Sequence, residues 1–273
     1  MPDAKRDTVT VTADLSIRDL SVSLGGSRIL EGVSISLQQG ARVALLGESG
    51  SGKSMTARAA LGILPAHAKI TGRVEVAGVD VTRLPALRRP AHARPAMVMQ
   101  DSLAALNPLA SIGYQLERPL RRAGRSRSGA KAAACDLLDR VGLSEPEQVL
   151  MRSSPELSGG QRQRVCIALA LACDAPVIIA DEATSALDVV TQAQILRLLR
   201  DVTSRPGGPG LLFITHDLHA AAHLCDRALV IQGGRVVEDA PMPRIVSAPR
   251  HAHTRRLIAS AAECGIACER LFA

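Results

Sequence analysis

The chain has 273 residues, of which 47% are hydrophobic and 22% charged, and it carries a net charge of +7. That balance excludes a disordered or fibrous protein, and the length suits one domain of two lobes. Aromatic residues amount to 1%, namely Tyr114, Phe213 and Phe272, so the core rests on Leu, Ile, Val and Ala, and a base-stacking platform for single-stranded nucleic acid is poorly supplied.

In chain order, Leu15 to Leu24 and Val33 to Leu37 alternate apolar and polar residues as half-buried strands do. Arg42 to Leu46 is a short apolar strand running into a Gly-rich turn, and Met55 to Leu64 is compatible with a helix. Val74 to Val76 and Val79 to Val81 flank Ala77-Gly78 as a small hairpin. From Asp101 to Pro155 strand signals vanish, and Leu and Ala recur at helical spacing around Ala132 to Val141. A helix over Gly160 to Cys173, a buried strand over Val177 to Ala180 and a helix over Val190 to Val202 come next. A buried strand over Leu211 to Thr215, a further helix and a hairpin turning at Gly233-Gly234 complete the pattern. Strands alternating with helices predict an α/β core with a parallel sheet beside an antiparallel β layer. The expected division is a core of residues 1–100 and 160–240, a helical subdomain of residues 101–159, and a tail of residues 241–273.

No run approaches the ~20 apolar residues that cross a bilayer, and the start MPDAKRDTVT lacks the apolar stretch of a signal peptide. A cytoplasmic protein is expected. The six cysteines form no C-x-x-C pair and are expected to be reduced. Cys264 and Cys268 can share a helix face, but two thiols without further ligands are weak grounds for a metal site. Arg121, Arg122, Arg125 and Arg127 fall in a Gly/Ser-rich run that reads as a solvated loop rather than a nucleic-acid contact.

Gly47-Glu48-Ser49-Gly50-Ser51-Gly52-Lys53-Ser54 fits G-x-x-x-x-G-K-[ST], with a strand before it and a helix after it. Glycines let the backbone wrap phosphate oxygens, and successive N–H groups with a helix N-terminus make an anion nest. Lys53 can bridge the β- and γ-phosphates of a nucleotide, and Ser54 can supply a hydroxyl to Mg²⁺. Val177 to Ala180 leads into Asp181-Glu182. Buried strands seldom end in adjacent acids unless a cation or a chemical role requires them. Asp181 can hold Mg²⁺ through water, and Glu182 can act as general base on the attacking water. His216 ends another buried strand, where a polar residue can sense the γ-phosphate; alone it would read as a surface or capping histidine, and Gln100 alone as a turn residue.

Leu157-Ser158-Gly159-Gly160-Gln161, between the P-loop and the acidic strand end, resembles the signature of ABC proteins. It opens a helix with Ser and two glycines, a second phosphate-binding N-terminus, which in that family faces ATP held by a partner subunit. The resemblance runs roughly from Leu15 to Ser260. It implies the ABC ATPase fold of the P-loop NTPase class: a RecA-like parallel-sheet core, an antiparallel β layer and a helical signature subdomain. Gln100 then corresponds to the Q-loop residue, a Mg²⁺ ligand that links the γ-phosphate site to transmembrane partners. Ser185-Ala186-Leu187-Asp188 corresponds to the D-loop, and His216 to the switch histidine. Leu24 stands near the place of the usual adenine-stacking aromatic, implying weaker discrimination of the base. Ala183 replaces the usual Pro after Glu182, removing a φ constraint.

Gln100-Asp101-Ser102-Leu103, Leu106-Asn107-Pro108, the stretch Asp188 to Leu196 and the tail Ala248 to Leu257 resemble peptide and nickel importer subunits. The usual tail has Pro-Tyr where this chain has Ala252-His253. Asp101-Ser102 and Glu182-Ala183, with the short tail, favour nickel over peptides as the cargo. The resemblance further implies ATP and Mg²⁺ as ligands and a second ATPase subunit, either a similar chain or a copy of this one. It also implies two transmembrane permease subunits, an extracytoplasmic solute-binding protein acting indirectly, no nucleic acid, and a peripheral place on the cytoplasmic face of the membrane. A soluble ABC ATPase acting on nucleic acid would usually carry two cassettes or a long coiled coil, and no sustained heptads occur here.

Overall fold

The structure, a computed structural model, describes residues 14–263. The opening MPDAKRDTVT segment, Cys264, Cys268, Phe272 and the rest of the tail after residue 263 lie outside the described residues. Strand β1 (Leu15–Leu24) turns at Gly25-Gly26 into β2 (Ser27–Leu37), which starts well before the predicted Val33. Next come β3 (Arg42–Leu46), helix α1 (Lys53–Leu61), β4 (Lys69–Val76), β5 (Val79–Asp80) and β6 (Ala96–Met99). The helical stretch comprises α2 (Ser102–Ala105), α3 (Ile112–Arg122), α4 (Arg127–Arg140) and α5 (Pro146–Met151), and leads to α6 (Gly159–Ala172). The chain then alternates through β7 (Val177–Asp181), α7 (Val189–Thr203), β8 (Gly210–Thr215), α8 (Leu218–Leu224) and β9 (Arg227–Gln232). It closes with β10 (Arg235–Pro241), α9 (Met242–Ser247) and α10 (Ala252–Glu263).

Two sheets result. One is four-stranded and antiparallel, in the order β2-β1-β4-β5. The other has six strands in the order β10-β9-β3-β8-β7-β6, parallel except for the edge strand β10. The central strands are buried on both faces, as parallel sheets are, and their residues alternate between two cores. Ala44, Leu46, Ile178, Ala180, Leu211 and Phe213 point to the face shared with the helical stretch and α6. Val43, Leu45, Val177, Ile179, Leu212 and Ile214 point to the face shared with α1 and the antiparallel layer. Helix α6 packs against α2, α3 and α4 and also against β6, so it joins the helical stretch to the sheet.

Two local expectations are corrected. Helix α1 begins at Lys53 rather than Met55 and ends at Leu61, because Gly52 (φ 111°) and Gly62 (φ 73°) adopt left-handed conformations that bound it. The arginine run is not one loop: Arg121 and Arg122 close α3, and Arg127 opens α4 behind the side chain of Ser126, which accepts the N–H of Gly129.

Arg89 anchors the far end of α1. It is 1% exposed, and its guanidinium donates to the carbonyls of Leu84, Ala60, Ala59 and Val81. Burial pulls it down to about 10, so it stays charged at neutral pH. It satisfies carbonyls at the negative end of the helix dipole. Arg89→Met keeps much of the volume and leaves those carbonyls without a donor. Urea unfolding of this variant is expected to show a loss of about 3 kcal/mol.

Candidate active site at the carboxyl edge of the parallel sheet

Ligands of open α/β sheets gather where parallel strands end, and the strand register brings most of the candidates there. Leu46 of β3 pairs with Thr215 of β8, so the 47–54 loop leaves the sheet beside His216. Asp181 of β7 pairs with Ile214 on one side and Met99 of β6 on the other, so Gln100 follows directly beside Asp181.

The loop is held by close approach. A Cβ on Gly47 would lie 2.4 Å from the Ile231 carbonyl oxygen, and one on Gly52 would lie 2.6 Å from Leu30 Cδ2. Backbone blocks a side chain at Gly47, and φ 111° favours glycine at Gly52. Ser51 donates its N–H to the Glu48 carbonyl (3.2 Å), and its own carbonyl accepts the N–H of Gly234 (2.9 Å). The Ser51 hydroxyl is buried with no hydrogen-bond partner among the described residues. Lys53 is buried, and its Nζ donates to the carbonyls of Gly47 and Glu48, 2.8 Å from each. Burial pulls its ammonium below the ordinary lysine range, against the charges of Glu182, Asp181 and Glu48.

Asp181 faces that cation, with the Ser54 side chain beside it. Burial pushes its carboxyl above the ordinary range; the Glu182 charge adds to this, while Ser54 and Lys53 oppose it. Glu182 has φ 48°, a left-handed conformation that costs of order 1 kcal/mol in a residue other than glycine. Its N–H donates to the Ile214 carbonyl (2.9 Å), and its carbonyl accepts the N–H (3.2 Å) and hydroxyl (3.0 Å) of Ser185. In this turn its Oε1 lies 3.1 Å from Nδ1 of His216. The hydroxyl of Ser54 and the carboxylate of Asp181 are adjacent oxygen donors, the kind of set that a hard cation such as Mg²⁺ takes.

A second group stands apart. Ser158 caps α6: its hydroxyl accepts the N–H of Gln161 (3.2 Å), and Gln161 Oε1 accepts the N–H of Ser158 (2.9 Å). Arg162 donates to the Leu157 carbonyl. Leu187 Cδ2 would lie 4.0 Å from a Cβ on Gly159, and Thr191 Cγ2 only 2.8 Å from one on Gly160, so the 157–161 segment packs on the start of α7. Asp188 caps α7 by accepting the hydroxyl (2.6 Å) and N–H (3.0 Å) of Thr191, bonds that hold its carboxyl below the ordinary range. Among the described residues, no hydrogen bond joins Leu157–Gln161 to residues 47–54. Leu24 sits at the end of β1, half-buried and paired with Ser27.

Three contacts escape sequence reasoning. Gln163 of α6 donates to the Met99 carbonyl (3.3 Å), and Gln192 of α7 donates to Asp217 (2.9 Å). His253 of α10 lies beside Glu48. Each joins distant stretches of chain, which no local spacing signals.

The sequence model of the family described as "ABC transporter" matches residues 30–185. This chain belongs to the ABC transporter family. The ABC ATPase is 40% identical over 261 residues to the probable D,D-dipeptide transport ATP-binding protein DdpD of Escherichia coli, covering 92% of this chain and 79% of that protein. It is 42% identical over 258 residues to the oligopeptide transport ATP-binding protein OppD of Mycobacterium tuberculosis, covering 90% of this chain and 41% of that longer protein. A dimeric structure of MJ0796, a bacterial ABC transporter cassette, superposes with a TM-score of 0.71 at 27% identity, covering 84% of this chain and 98% of that one. The expected ABC ATPase fold is therefore borne out, and the chain is an ATPase that serves transport. Among the described residues, no helix is long and apolar enough to cross a membrane.

Asp181 and the buried cation make a testable charge arrangement in the ABC ATPase. A carboxyl raised on folding favours the folded state most below its unfolded value of 3.8 and loses that contribution as pH rises through the folded value. Asp181→Asn is therefore expected to melt at a higher temperature than the native protein at neutral pH. Thermal melts at descending pH should show the difference shrinking toward the unfolded value.

Proposed function

We propose that this chain is the ATP-binding and ATP-hydrolysing subunit of an importer of short peptides. The observation that carries the catalytic part is the meeting of Lys53, Asp181 and the Glu182–His216 pair at one sheet edge. In this reading the loop N–H groups of residues 47–54 hold the triphosphate, and Lys53 exchanges its two carbonyl partners for phosphate oxygens. Glu182 takes the proton of the attacking water as that oxygen bonds to the γ-phosphorus and the bond to ADP breaks. His216 holds the Glu182 carboxylate in place. Ser54 and Asp181, with Gln100 next to them, would hold Mg²⁺, which when bound neutralises charge on the β- and γ-oxygens.

One chain supplies half of each site. The separate 157–161 cluster is read as facing nucleotide held by a second cassette, with Asp188 at the seam; the dimeric cassette of similar fold supports that pairing. Leu103, Leu109, Tyr114 and Met151 are exposed apolar residues of the helical stretch and suit docking to two permease subunits. Residues 101–159 then work as the coupling subdomain between the two parts of the core (1–100 and 160–240), with 241–273 as the tail, at the cytoplasmic face of the membrane. An extracytoplasmic binding protein would deliver cargo to the permeases, and no nucleic acid takes part.

Peptides take precedence over nickel because both curated relatives described above are named for dipeptide or oligopeptide transport. The motifs behind the nickel expectation, Asp101-Ser102 and Glu182-Ala183, lie in the cassette, whereas cargo is selected elsewhere in such assemblies. In a host lacking this chain, the native gene is expected to restore uptake of short peptides and Glu182→Gln is expected not to. Restoration of nickel uptake alone would return the cargo to nickel. Leu24 in place of a stacking aromatic gives a second expectation: ATP and GTP should bind with affinities within about threefold, read by equilibrium titration.

A further inference from the structure

The chain after β10 is tied back to the core at a definite place. Glu238 of β10 accepts the N–H groups of Arg250 (2.8 Å) and His251 (3.0 Å), and the Nδ1 of His251 accepts the N–H of His253 (3.2 Å). Helix α10 thereby starts against the body of the protein and packs on α8. His253, in its first turn, is 1% exposed, and neither ring nitrogen has a hydrogen-bond partner among the described residues. Its Nδ1 lies 3.8 Å from Oε1 of Glu48, an ion-pair distance just beyond hydrogen-bond reach. The Glu48 side chain is 68% exposed and has room to close that gap.

Glu48 is an awkward neighbour for a triphosphate. It is the second residue of the phosphate loop, and its carbonyl is one of the two that hold Lys53. A carboxylate there repels an incoming polyanion unless it is held away from it. A buried imidazole with both nitrogens unpartnered is unfavourable unless it acquires a partner, and Glu48 is the carboxylate within reach.

We propose that His253 is a positioning residue for nucleotide binding: from the tail helix it hydrogen-bonds to Glu48 and draws that carboxylate away from the phosphates. The tail and the phosphate loop then act as one unit. The proposal rests on the reading that residues 47–54 hold the triphosphate.

Equilibrium titration of the full-length chain with a fluorescent ATP analogue tests it, using His253→Phe, Glu48→Gln, the double variant, His253→Tyr and Lys53→Ala. His253→Phe is expected to weaken binding roughly three- to tenfold. In the Glu48→Gln background the same substitution should add less than about a twofold change, the mark of a coupled pair. His253→Tyr, whose hydroxyl can donate to Glu48, should restore part of the loss. An equal loss in both backgrounds, or no loss in either, would overturn the proposal by making His253 a packing residue only. Retention of native affinity by Lys53→Ala would instead sink the phosphate-loop reading itself. If His253→Phe fails to fold, as judged by circular dichroism, His253→Gln takes its place in the same cycle with the same outcomes.

Discussion

The Lys53 ammonium is buried at the amino end of α1, shared between two carbonyls of its own loop and facing Asp181, Glu182 and Glu48. Burial disfavours its charge, and the three carboxylates offset that only in part. The same burial leaves Asp181 reluctant to ionise. Glu182 sits in a left-handed conformation that sets its carboxylate beside His216. These features are unfavourable in the free protein, a common compromise at functional sites. Arg89 at the other end of α1 supports the arrangement, because a helix whose last carbonyls are satisfied can hold Lys53 and Ser54 steady at its first turn.

Much of this is legible in the sequence. The 47–54 loop announces itself because a turn that can wrap an anion demands glycine at fixed offsets, and a Cβ on Gly47 would indeed run into backbone, while Gly52 adopts a φ that favours glycine. The central strands are visible as short apolar runs, and Ser158 with Gln161 reads as a reciprocal cap in advance of any coordinates. The start of α1 is harder to place because periodicity counts apolar residues, whereas the first turn of this helix is occupied by Lys53 and Ser54 for electrostatic reasons. The arginine run resembles a loop because exposed helix ends and loops share a composition. Arg89 and His253 are out of reach of sequence reasoning, since nothing local distinguishes a buried arginine or histidine from a solvated one. Cargo is equally out of reach, since the recurring motifs of the chain carry nucleotide chemistry and none of them names a transported molecule.

The second cluster is held in shape by its own helix caps. Ser158, Gln161, Asp188 and Thr191 satisfy one another through helix caps, and Gly160 lets α6 close on α7 without a gap. The segment thus keeps its shape without nucleotide, so a partner cassette would meet a preformed surface rather than one that must order on contact.

The strand order also carries a consequence for biogenesis. Among the described residues, strand β3, which leads into the 47–54 loop, has β8 and β9 as its sheet neighbours, and that loop is roofed by Ile231 of β9 and by Gly234 of the turn that follows. The same Gly234 accepts the N–H of Glu31 in β2, so one residue late in the chain ties the antiparallel layer to the loop. A ribosome making this protein therefore completes the motif long before it makes the walls. Non-local pairing of this kind is slow and leaves apolar strands unpaired in the meantime. Residues 47–54 acquire these neighbours only once β9 and the turn at Gly234 have been made.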